Sequence, residues 1–178
     1  MLTPEEQVQA LMLFKTKKIE KRKYLLPSGD ISRNIYFVDK GCLRMFYTDQ
    51  DAQEHTVCFY PENWWAIDTV SFFKEKPAMY SLQALEDSEV YHITLPRLEA
   101  LFVKVPKFER FFRILTQNGF DMYERRVTSS LSKSATARYL EFRKQYPGLE
   151  LRIAQKHIAS YVGITAVFLS MMRKDKNL

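Results

Sequence analysis

Between Gln155 and Lys174 the chain reads Gln-Lys-His-Ile-Ala-Ser-Tyr-Val-Gly-Ile-Thr-Ala-Val-Phe-Leu-Ser-Met-Met-Arg-Lys, an order that few folds accommodate. Ile158 and Val162, four residues apart, give a short helix over Gln155 to Val162 one apolar face. Gly163 follows, the residue best suited to the left-handed backbone that turns a chain after a helix. Ile164 plugs the corner, and Thr165 brings the hydroxyl that can take an orphan amide at the start of a second helix. That second helix sets Leu169 and Met172 inward, with Ala166, Val167, Ser170, Met171 and Lys174 on the opposite arc. Helix, glycine-centred turn and helix at this spacing describe a helix-turn-helix whose second member fits a DNA major groove. The same periodicity also describes an αα-corner that only closes a small core, and periodicity alone leaves both open.

Charge distribution favours the first. Residues 1–96 hold 11 Lys/Arg against 14 Asp/Glu, a balance of −3. Residues 97–178 hold 16 against 7, a balance of +9. A positive half that carries a helix-turn-helix suits a polyanion, because each phosphate contact releases counterions. Apolar residues make up 46% of the 178 positions, enough to bury a core. No apolar run approaches the ~20 residues a bilayer span needs. The start, Met-Leu-Thr-Pro-Glu-Glu, lacks the basic and apolar parts of a signal peptide, so a cytoplasmic location without membrane attachment is expected. Cys42 and Cys58 lie in apolar runs and read as reduced core thiols.

Order along the chain adds a second argument. Thr3, Pro4 and Glu5-Glu6 start a short amphipathic helix to Phe14, and Lys15 to Lys23 reads as a solvated, lysine-rich connection. From Tyr24 to about Leu95 short β-prone runs alternate with turn residues. These runs are Tyr24–Leu26, Ile35–Val38, Cys42–Tyr47, Thr56–Tyr60, Tyr80–Leu85 and Val90–Leu95, with a brief helix at Ile67–Phe73. Many short strands at regular spacing predict an antiparallel sandwich or barrel. After Pro96 the period is helical: Arg97–Val103, then a long helix from Pro106 to Ser132, then Ala135–Gln145. Phe108, Phe111, Phe112, Leu115, Gly119, Met122 and Arg126 recur on the long helix at threes and fours, and its aromatics are dense. They need a partner surface, either this chain's own barrel, the same helix of a second copy, or both. Glu150–Ala154 reads as an extended piece. The expected fold is α+β with three segments: residues 1–105 β-rich, 106–132 the long helix, and 133–178 the helix-turn-helix.

Several motifs in this order resemble one family. They are Ile35-Tyr36-Phe37-Val38-Asp39-Lys40-Gly41, Gln83-Ala84-Leu85-Glu86-Asp87-Ser88-Glu89 and Pro106-Lys107-Phe108-Glu109-Arg110-Phe111-Phe112-Arg113. Arg138-Tyr139-Leu140 with Tyr146-Pro147, and Gln155 to Thr165, complete the set. The chain resembles the Crp/Fnr superfamily of transcriptional regulators. The resemblance implies an N-terminal antiparallel β-roll of the cyclic-nucleotide-binding type, a long dimerisation helix and a C-terminal winged-helix-type helix-turn-helix. It implies a homodimer on double-stranded DNA, with Phe108, Phe111, Phe112, Leu115 and Met122 at the dimer interface. The DNA contacts are expected from Gln155, Lys156, Thr165, Ala166, Val167, Ser170, Met171, Arg173 and Lys174. An unidentified small-molecule effector and RNA polymerase are further partners it leaves open.

Three departures qualify this. Cyclic-nucleotide binders of the family place an arginine in the roll to fork the cyclic phosphate, yet no arginine lies between Arg44 and Arg97. Asp68 can stand for the family's ribose-binding acid, and with Tyr80 it marks a candidate effector pocket. The aromatics Trp64-Trp65, Phe72-Phe73 and Tyr80 either line such a pocket or fill the core. Two cysteines cannot supply the four ligands of an iron–sulfur cluster, and His55, His92 and His157 have no metal spacing, so no cofactor is expected. Few residues follow the second helix, so a wing is expected around Leu149–Ile153 or not at all. A sensor or scaffold of the same fold that no longer reads DNA is the alternative; no catalytic motif points to an enzyme.

Overall fold

The computed structural model describes residues 2–174; Met1 and residues 175–178, the outer ends of the first and third expected segments, lie outside the described residues. Helix α1 (Pro4–Leu11) starts as its sequence dictates. The Thr3 hydroxyl accepts from the Glu6 amide at 3.2 Å, and the Glu6 carboxylate accepts from the Thr3 amide at 2.7 Å. Eight strands follow: β1 (Lys15–Ile19), β2 (Tyr24–Leu26), β3 (Ile35–Lys40), β4 (Leu43–Thr48), β5 (Glu54–Tyr60), β6 (Trp65–Ala66), β7 (Ser81–Ala84) and β8 (Ser88–Ile93). They form two antiparallel four-stranded sheets, β1-β8-β3-β6 and β2-β7-β4-β5, the expected roll. Its inner core contains Val38, Leu43, Met45, Cys58, Leu82 and Val90.

The lysine-rich connection is corrected: Lys15–Ile19 is strand β1, paired with β8 from Lys15 opposite His92 to Ile19 opposite Ser88. Only Ile19 is buried there, because β1 is an edge strand and lysines guard it from further pairing. Gly41 joins β3 to β4 at φ +92°, and a Cβ there would stand 2.9 Å from the Asp87 carbonyl oxygen, so a side chain is excluded twice. The brief helix, α2 (Thr69–Lys74), starts two residues later than expected because Asp68 caps it, its carboxylate accepting from the Ser71 amide at 3.0 Å.

The helical half holds α3 (Leu95–Lys104), the 26-residue α4 (Lys107–Ser132), α5 (Ala135–Gln145), α6 (Gln155–Val162) and α7 (Ala166–Lys174). The expected extended piece at Glu150–Ala154 is also corrected. Leu149–Leu151 is a 3₁₀ turn, entered through Gly148 at φ +72° and closed by bonds from the Leu151 and Arg152 amides to the Gly148 and Leu149 carbonyls. Among the described residues no strand follows β8, so the wing position carries no hairpin.

One buried cluster spans the two halves. Cys42, Phe59 and Leu85 of the roll pack with Phe142, Tyr146 and Ile158 of the helices. Phe59 meets the rings of Phe142, Tyr146 and Tyr161 at centroid distances of 5.9, 5.6 and 5.4 Å. Strand β4 is therefore buried on both faces from Leu43 to Phe46. Burial pushes both thiols up, Cys58 to about 11, so Cys42 and Cys58 are inert core groups.

Candidate nucleic-acid interface

Gly163 closes α6 at φ +76°, ψ 44°, the left-handed backbone its position requires. The Thr165 hydroxyl then accepts from the Phe168 amide at 3.1 Å and opens α7. Ile158, Ala159 and Val162 of α6, with Leu169 and Met172 of α7, are buried in the cluster shared with the roll. That fixes what α7 shows to solvent. Val167 is 71% and Met171 63% exposed, Phe168 45%, with Ala166, Arg173 and Lys174 also outside and Ser170 half-buried. Gln155, Lys156 and Thr165 are also exposed, so all nine expected DNA contacts reach solvent, eight of them exposed and Ser170 half-buried. From Leu151 to Lys174 there is no Asp or Glu, so nothing on the two helices repels a phosphate.

The anchorage of α6 comes from residues whose partners the sequence pattern does not reveal, although Arg126 lies in the periodic series of α4. The Ser160 hydroxyl donates to the Glu54 carbonyl at 2.6 Å and accepts from the Thr56 amide at 2.8 Å. Arg126 of α4 donates to the Val57, Thr56 and Tyr161 carbonyls at 2.5, 2.7 and 3.1 Å, its guanidinium 3.8 Å from the Tyr161 ring centre. Strand β5 is the outer strand of its sheet, and these groups take the backbone hydrogen bonds its free edge would otherwise leave open. Arg138 of α5 donates to the Val162 carbonyl at 2.8 Å, capping the end of α6.

Two further arginines join the roll to the helices by charge. Arg44, fully buried on β4, donates to Glu54 and to His157 Nδ1, each at 2.5 Å, and lies 3.9 Å from the Phe46 ring centre. Because a guanidinium can only donate, His157 accepts and is neutral, with its proton on Nε2. Burial, then the positive charges of Arg44 and Lys156, bring its pKa down to about 4. Arg152 pairs with Glu62 at 2.6 Å and Glu86 at 2.9 Å, and this hydrogen bonding pulls Glu62 down to about 2. The signal for Arg44 was present in the sequence, a lone charge inside the apolar run Leu43-Arg44-Met45-Phe46, but its partner was not.

The other expected sites are placed as follows. Asp68 caps α2 and its second carboxylate oxygen is buried without a hydrogen-bond partner, while Tyr80 packs against the roll core. Two cavities, of about 330 Å³ between α1 and α3 and about 360 Å³ beside α5, are lined by neither residue. On α4, Phe112 is buried in its own chain, with Phe108 and Leu115 packed on the same cluster and Met122 on the roll core. Phe111 is half outside, and a separate set on one side of the helix, Phe120, Val127 and Leu131, is exposed, while Tyr123 between the two sides hydrogen-bonds with Tyr60 of the roll.

No helix among the described residues is long and apolar enough to cross a membrane. A family model described as the cyclic nucleotide-binding domain matches residues 16–104. The chain is 23% identical over 184 residues to the regulatory protein HlyX of Actinobacillus pleuropneumoniae, covering 96% of this chain and 75% of that protein. It is 25% identical over 175 residues to the transcriptional regulatory protein btr of Bordetella pertussis, covering 97% and 68%. Among solved structures, FixK2 from Bradyrhizobium japonicum matches at a TM-score of 0.79 and 15% identity, over 92% of this chain and 84% of that one.

Proposed function

Because the chain belongs to the cyclic nucleotide-binding domain family, as a Crp/Fnr-type transcriptional regulator, we propose that it binds DNA as a homodimer without a cyclic nucleotide. The observation that carries the reading is the α6–α7 pair. Its outer face is solvent-exposed, free of carboxylates and edged by Lys156, Arg173 and Lys174, while its inner face is locked to the roll. Such a face meets phosphates on both sides of a major groove. In this reading residues 1–105, 106–132 and 133–178 serve as roll, dimer helix and DNA-reading segment.

Independence from a cyclic nucleotide rests on two points. No arginine is present from residue 45 to residue 96. Asp68 sets its own carboxylate at the amino end of α2, where an anionic phosphate would be repelled. Lys74 and Lys76 are exposed on the surface of this segment.

The test is selection of bound duplexes from a random pool, followed by a salt titration with and without cyclic AMP or cyclic GMP. Binding that weakens steeply with salt and ignores both nucleotides is expected. Calorimetric affinity for either nucleotide tighter than about 10 μM, roughly −7 kcal/mol, would overturn the independence. No DNA binding at low salt would leave the chain a sensor or scaffold, the reading that the apolar surface of α7 favours.

A further inference from the structure

Major-groove readers distinguish bases by hydrogen bonds to their edges or by apolar contact with the one methyl group there, on thymine C5. The outermost face of α7 carries Val167, Ser170, Met171 and Lys174, at positions i, i+3, i+4 and i+7 of the helix. None of them has the fork of an arginine or the paired donor and acceptor of a side-chain amide, and the one cation that can donate to guanine O6 and N7, Lys174, stands at the last position of the helix, so the first two turns offer no such pair. Val167 and Met171, at 71% and 63% exposed, instead present an apolar centre to water. Lys156, Arg173 and Lys174 border that centre, and no acidic residue lies between Leu151 and Lys174.

A surface with a cationic rim and an apolar middle fits a partner that is anionic at its edges and apolar at its floor. We propose that α7 reads thymine methyl groups, so that the duplexes this protein prefers carry thymines under Val167 and Met171. This rests on the DNA-binding reading above and names what that binding selects. Met171 suits the role because its flexible thioether can follow a methyl group that shifts between base steps. Val167, branched at Cβ, offers a second contact one turn away that is already rigid. Ser170, half-buried between them, accepts either donor or acceptor edges and adds little discrimination. A protein partner with an acidic rim and an apolar centre would match the same charges but not the following test.

The tightest duplex from the random pool is remade with deoxyuridine for every thymidine, a change that removes the C5 methyl and leaves base pairing and phosphates in place. The full-length protein should lose affinity by about fourfold for each methyl buried, with an unchanged salt slope. Met171→Ala and Val167→Ala, both at exposed positions, should each shrink the thymine-to-uracil difference, while Lys174→Ala should weaken both duplexes equally. Equal affinity of the wild type for the two duplexes overturns the methyl reading and leaves DNA binding standing. A thymine-to-uracil difference that survives both alanine variants also overturns it. Failure to bind either duplex at low salt overturns it together with the reading beneath it.

Discussion

Arg44 and His157 are 113 positions apart, and their bond holds only while the imidazole stays neutral. The pKa of His157 is about 4 in the folded protein against 6.5 when exposed, so between these values the unfolded chain binds more protons. Stability from this pair is complete above about pH 6.5 and declines as pH falls towards 4. Glu62, held down to about 2 by Arg152, loses its contribution only below its ordinary 4.5, so the two windows separate. His157→Gln keeps an acceptor for Arg44 and removes the titration. Urea midpoints should therefore fall from pH 7 to pH 5 by more in the wild type than in the variant. The difference, discounted for the partial exposure of the imidazole, should be about 1 kcal/mol; identical pH slopes would show that His157 is not held neutral. Residues with a local role, such as Thr3, Gly163 and Thr165, were legible because cap and turn chemistry is written within a few positions. Arg44, Ser160 and Arg126 were not, because each acts on a strand or helix far away in sequence.

Helix α4 carries two apolar rows on different sides, and they do different work. Phe108, Phe112, Leu115 and Met122 lie against their own chain, whereas Phe120, Val127 and Leu131 face solvent. Sequence alone points to Phe108, Phe111, Phe112, Leu115 and Met122 as the dimer contact, because that stripe is too long for a small barrel to cover by itself. If a second copy covers the exposed row, Phe120→Glu with Val127→Glu should give a folded monomer by sedimentation and circular dichroism, from a dimeric wild type. A wild type that is monomeric at micromolar concentration refutes the seam. Phe112→Ala should act on the fold instead, lowering stability by about 3 kcal/mol. Other elements repeat the contrast between pattern and context. The bounds of α5 and α6 were read correctly from caps and periodicity, but β1 was missed because an edge strand of lysines has no apolar alternation to detect. The 3₁₀ turn at Leu149–Leu151 was missed for a related reason, since three residues have no period.

At the scale of the whole molecule, the roll and the helix-turn-helix share one core. Phe59 sits among helical aromatics, Arg152 ties Glu62 to Glu86, and Ser160 with Arg126 satisfies the edge of β5. Thermal unfolding followed at tryptophan and by far-ultraviolet dichroism should therefore give one coincident transition. A chain ended at Gln145 should expose β5 and Phe59 and aggregate, and its purification as a soluble, cooperatively folding roll would refute this coupling. The arrangement also sets different rules for the two sides of the reading helices. Substitutions on the inward side of α6 should loosen the roll as well as the helix pair, because the two share one core. The outward side of α7 answers only to whatever it touches, and a lineage that changed its operator, or abandoned one, could rewrite Val167 and Met171 while every inward position stood still. Persistence of the helix-turn-helix in descendants of such a chain would then record the needs of a β-strand, and only drift at two or three outward positions would record the history of the DNA.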